Sequence, residues 1–62
     1  MYKIDFKYKS KSVSGGGWFD ETDFKLYDAE LASDLEDKIR KHMKDSTNSY
    51  NKWFEVTSIT KI

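Results

Sequence analysis

Residues 2–27 read YKIDFKYKSKSVSGGGWFDETDFKLY, and the way this stretch doubles back decides the fold. Tyr2, Ile4, Phe6 and Tyr8 alternate with Lys3, Asp5, Lys7 and Lys9, the period of two that gives a strand one dry face and one wet face. Ser14-Gly15-Gly16-Gly17 follows, and glycine supplies the positive φ that a tight reversal needs. The pattern predicts a strand over 2–13, a turn, and a second strand over 18–27. Pairing about Gly15 sets Asp5 against Lys25, Lys7 against Asp23 and Lys9 against Glu21. The same register opposes Phe6 with Phe24 and Ile4 with Leu26. Cross-strand pairs of these kinds contribute roughly 0.2–1 kcal/mol each, so this register is the expected one. It would neutralise what otherwise looks like a lysine-rich binding face.

Downstream, the spacing predicts a helix over 29–44 with Asp28 as its N-cap. Leu31, Leu35, Ile39 and Met43 form its apolar stripe, with Ala32 and His42 alongside. Asp34, Glu36 and Asp37 each precede a base by four residues, and acids lead while bases trail, as the helix dipole favours. Residues 52–62, KWFEVTSITKI, are β-branched and aromatic and predict a third strand. Its phase breaks between Val56 and Ile59, and a bulge near Thr57-Ser58 would return Ile59 to the core side.

The fold class is therefore α+β: a small single-layer three-stranded sheet, ββαβ, with one helix packed on one face and residues 1–62 forming a single domain. A right-handed crossover makes the third strand parallel to the second. Order 2-1-3, all antiparallel, is preferred over 1-2-3, because the first strand has the most regular apolar face. The expected core is Tyr2, Ile4, Phe6, Tyr8, Phe24, Leu26, Leu31, Leu35, Ile39, Met43, Phe54 and Val56.

Sixty-two residues with no cysteine exclude disulfides, a thiolate nucleophile and thiolate metal sites. Missing cysteine fits a reducing compartment. No apolar run approaches the roughly 20 residues of a membrane helix, and MYKIDFKYK alternates where a signal peptide would be uniformly apolar. The chain reads as soluble and cytoplasmic, and its Lys-, Ile-, Tyr- and Asn-tolerant composition suits an AT-rich bacterial, phage or mobile-element genome. Formal charge is zero, so long-range attraction of a polyanion is not expected. Ten of the eleven bases are Lys, with Arg40 the exception, which disfavours the bidentate base readout that Arg provides.

Catalytic chemistry finds no support in the pattern. His42 is the sole histidine, with no orienting partner for a general base and no companions at metal-ligand spacing. Asp20, Glu21 and Asp23 alternate faces on a strand, and the glycine run lacks the Lys-Ser/Thr of a phosphate loop. Neither enzyme, cofactor nor metal is expected.

Aromatic surface is the stronger signal. Two Trp and four Tyr in so short a chain exceed what its core can cover, and aromatic residues are enriched at interface hot spots. Trp18, Phe19, Tyr50 and Trp53 are the candidate contacts of a protein-binding module, with self-association through an edge strand as one form of it. The alternative is weak, sequence-indifferent binding of single-stranded nucleic acid by Lys3, Lys7, Lys61 and Trp53, with Tyr27 joining the platform.

Overall fold

The computed structural model describes all residues from 1 to 62. Alternation in the first strand is realised as β1 (Tyr2–Ser10), which lies between β2 (Phe19–Tyr27) and β3 (Asn51–Lys61) and is antiparallel to both. The order is β2-β1-β3. Helix α1 (Ala32–Ser46) connects β2 to β3 and lays Leu35 and Ile39 over Ile4 and Phe6. Phe6 is 1% exposed and Ile4 fully buried. Burying such side chains contributes roughly 1.5–3 kcal/mol apiece. Tyr27 completes the buried set, and Tyr2, Ala29, Met43 and Val56 pack around it. The molecule is elongated, 42 × 17 × 12 Å, and the sheet is three-stranded along the whole of β1. No helix is long and apolar enough to cross a membrane.

The register of the hairpin differs from the expected one by a single residue. Asp5 opposes Phe24, Phe6 opposes Asp23, Lys7 opposes Thr22 and Lys9 opposes Asp20. Since side chains alternate, one residue of slip moves every side chain of β2 to the other face. Phe24 and Leu26 therefore lie on the open side of the sheet, 57% and 49% exposed, and not in the core. Tyr27 takes the inner position instead. Lys7 is not paired with Asp23; it meets Glu55 on β3 at 2.7 Å, and Lys9 pairs with Asp20. Asp5 and Lys25 do not pair either: Asp5 bonds Ser58 and lies 3.9 Å from Lys3. Lys7 and Lys9 still find carboxylates, from different partners, while Lys25 forms no ion pair.

The helix begins one turn later than expected. Leu31 flanks it in an extended conformation without a side-chain cap and is 62% exposed, so it leaves the core. Asp28 does not cap α1; its carbonyl accepts a hydrogen bond from Lys38 Nζ at 2.9 Å. Glu36 pairs with Arg40 as expected, at 3.5 Å, whereas Asp37 joins the same Arg40 at 3.3 Å and not Lys41.

Strand β3 carries two irregularities. Asp5 opposes Ser58 while Phe6 opposes Val56, which leaves Thr57 as an extra residue and brings Ile59 opposite Ile4. Further along, Lys7 opposes Glu55 and Lys9 opposes Lys52, so Tyr8 alone faces both Phe54 and Trp53. Trp53 absorbs this second bulge at φ 60, the one non-glycine residue of the chain with positive φ.

Candidate functional site

The glycine end of the ribbon and the start of β3 are drawn together by backbone hydrogen bonds. Asn48 Oδ1 accepts from the N–H groups of Tyr50 and Asn51, at 2.8 and 3.0 Å, an Asx turn that redirects the chain from α1 into β3. Lys11 N–H donates to the Tyr50 carbonyl at 2.9 Å, and Ser10 Oγ donates to Asn51 Oδ1 at 2.9 Å. At the tip, Gly15 N–H returns to the Ser12 carbonyl, with Gly15 and Gly16 at φ 92 and 110, a region where a Cβ is unfavourable.

These ties bring Trp18 and Trp53 into edge-to-face contact, with ring centroids 4.9 Å apart. Such a pair is worth about 0.5–1.5 kcal/mol beyond its buried area. The ammonium groups of Lys11 and Lys52 stand 5.4 and 5.7 Å from the Trp18 ring, within cation–π range. Trp53 is 62% exposed while Trp18 is half-buried beneath these neighbours. An open cleft of about 370 Å³ adjoins Trp53, lined by Lys7, Tyr8, Lys9, Asp20 and Glu55. Its two lysines are matched by its two carboxylates. The hydrogen bond and charge of Lys9 hold the Asp20 carboxyl below its ordinary pKa.

Phe19 and Tyr50 are exposed at the same end, but Phe19 opposes Ser10 and so belongs to the helix side of the sheet, across from the cleft. The four expected contact residues thus share an end of the molecule, and of their rings the two tryptophans pair. Among the nucleic-acid candidates, Lys7 reaches the cleft beside Trp53. Lys3 lies over the Phe24 ring, 4.9 Å from its centroid, and Lys61 opposes Tyr2 at the far end of the sheet. Tyr27 is buried and is unavailable for stacking. Lys11 and Lys52, absent from the expected set, are the bases nearest the tryptophans. Their signal lay in the bulge, which no alternating pattern discloses.

His42 sits inside the fold. Its ring lies 4.8 Å from Phe6 and 6.5 Å from Phe54, its Nδ1 is 3.5 Å from Ser46 Oγ, and its Nε2 is buried without a partner. Burial, helped by the Lys25 charge, pushes its pKa down, while Asp23 and Asp45 oppose the shift. Tyr8 stacks on Phe54 at 4.4 Å, and burial, with the charges of Glu21 and Asp23, raises its pKa. No group of three or more His, Cys, Asp or Glu side chains converges as metal ligands would.

Comparison with protein-family models, curated proteins and solved structures returns no match to this chain.

Proposed function

We propose that the chain is a non-catalytic protein-binding module that docks through the Trp18–Trp53 end, in the reducing setting of a cytoplasm. The observation that carries this reading is Trp53 itself: a large aromatic held 62% exposed at φ 60. Backbone strain of that kind costs on the order of 1–3 kcal/mol and concentrates where function demands it. The matching partner offers an apolar side chain to the tryptophan edge and carboxylates to Lys11 and Lys52. Affinity capture from the source cells tests it, comparing the wild type with a Trp18→Ala/Trp53→Ala chain whose circular dichroism is unchanged. Loss of the captured partners supports the module; retention removes these anchors.

Weak binding of single-stranded nucleic acid is the second reading, favoured by the two ammonium groups at Trp18. Charge balance in the adjoining cleft weighs against it, since affinity for a polyanion comes from unpaired cations. Tryptophan quenching by a mixed-sequence oligonucleotide, weakening as salt rises, would favour this second reading over the first.

A further inference from the structure

The two edges of the sheet are unlike. Strand β3 is interrupted twice, at Thr57 and at Trp53, and bulges of this kind blunt an edge against pairing. Strand β2 pairs nine consecutive residues with β1 without a break, so its outer edge is a regular row of backbone donors and acceptors. The Phe24 N–H shows which residues supply that row. It donates to the Asp23 carboxylate, Oδ1, at 2.8 Å, a contact along its own strand that turns it away from β1. Antiparallel ladders alternate, so Thr22, Phe24 and Leu26 direct their backbone groups outward.

We propose that this edge receives a second copy of the chain, two β2 strands pairing antiparallel about a two-fold axis at Phe24 to form a six-stranded sheet. Outward-facing residues must meet outward-facing residues, which restricts the registers to alternate steps. With Phe24 opposite its own counterpart, Asp23 of each copy meets Lys25 of the other, and Thr22 meets Leu26. Shifting the centre to Asp23 sets that carboxylate against itself, and shifting it to Lys25 sets two ammonium groups together. Shifting it to Thr22 opposes Glu21 with Asp23. Only the Phe24-centred register pairs opposite charges while setting no like charges together within β2.

Neither Asp23 nor Lys25 has an ion-pair partner within one chain: the five salt bridges involve neither residue. Phe24, exposed in the single chain, would meet the Phe24 of the second copy on the open side, with the exposed Leu26 of each copy diagonal to it. Helix α1 does not obstruct the approach. It comes closest to β3, and a cleft lined by Lys25, Tyr27 and His42 separates it from β2. The interface is self-complementary, as a two-fold contact requires, and it is independent of the Trp18–Trp53 surface.

Sedimentation equilibrium of the full chain tests the proposal with paired charge variants. The wild type should move from monomer towards dimer mass as concentration rises to about 1 mM, where an association with a Kd of that size is well populated. Asp23→Lys alone and Lys25→Asp alone should each remain monomeric, because each opposes like charges across the axis. Mixed in equal amounts they should dimerise again, as each introduced charge then meets its opposite on the other chain. Trp18→Ala/Trp53→Ala should dimerise like the wild type, which separates this result from the fate of the docking end. A wild type that stays monomeric throughout, single variants that still dimerise, or a mixture that does not while the wild type does, would each overturn the proposal.

Discussion

Asp5 of β1 stands directly opposite Phe24 of β2, and that pairing puts the Phe24 ring on the side of the sheet that α1 leaves uncovered. Lys3 Nζ stands over the ring, 4.9 Å from its centroid. An exposed cation–π contact is worth about 0.5–1 kcal/mol. Phe24→Ser should therefore lower the stability of the monomer by no more than about 1 kcal/mol. Phe6→Ala removes a buried ring and should cost about 3–5 kcal/mol, enough to unfold much of a small domain. Urea unfolding of dilute protein compares the two. Equal losses would mean that Phe24 faces inward.

Trp53 holds a left-handed backbone at φ 60. Both Trp53→Gly and Trp53→Ala lose the contact with Trp18, but only alanine keeps a Cβ in the unfavourable conformation. In an ordinary strand, alanine is the better residue of the two. Here the order should invert, with the glycine variant more stable by about 1 kcal/mol. The midpoints of chemical denaturation decide it, and an alanine variant at least as stable as the glycine one would rule out a strained Trp53.

His42 ties stability to pH through a pKa held down by burial and by Lys25. Its folded pKa lies below the unfolded value of about 6.5, so between the two the unfolded chain binds more protons. Stability should thus be full above about pH 6.5 and decline as pH falls towards the depressed value, with no further loss from this group below it. One group supplies a slope of at most about 1.4 kcal/mol per pH unit. His42→Phe should flatten the profile across this window. An unchanged slope in that variant would place the titrating group elsewhere.

Strand order, helix position and the place of β1 at the centre are legible in the sequence, because Tyr2, Ile4, Phe6 and Tyr8 alternate cleanly and Leu35 and Ile39 repeat at a helical period. The register of β2 is not. Its even positions offer Phe24 and Leu26 side by side, its odd positions Phe19 and Tyr27 separated by three charged residues, and a contiguous apolar pair favours the former. The structure selects Tyr27, whose ring closes the end of the core. The charged odd positions are tolerated because α1 lies towards β3 and leaves the inner side of β2 open to water. A pairing rule that looks only at two strands has no access to that offset. The broken period of β3 left its phase after Val56 open, and a bulge at Thr57 resolves it. The bulge at Trp53 left no such break, because either neighbouring aromatic could have continued the alternation.

The central place of β1 also bears on how the chain reaches its native state. Strand β1 gains one neighbour across the glycine turn, but its other neighbour arrives only after β2 and α1 have been traversed. Closing that long loop carries most of the entropic barrier, and an isolated two-stranded ribbon is at best marginally stable in water. The docking of β3 should thus pace refolding. Until it docks, the far side of β1 is open to strands of other molecules, so recovery of native protein should improve on dilution.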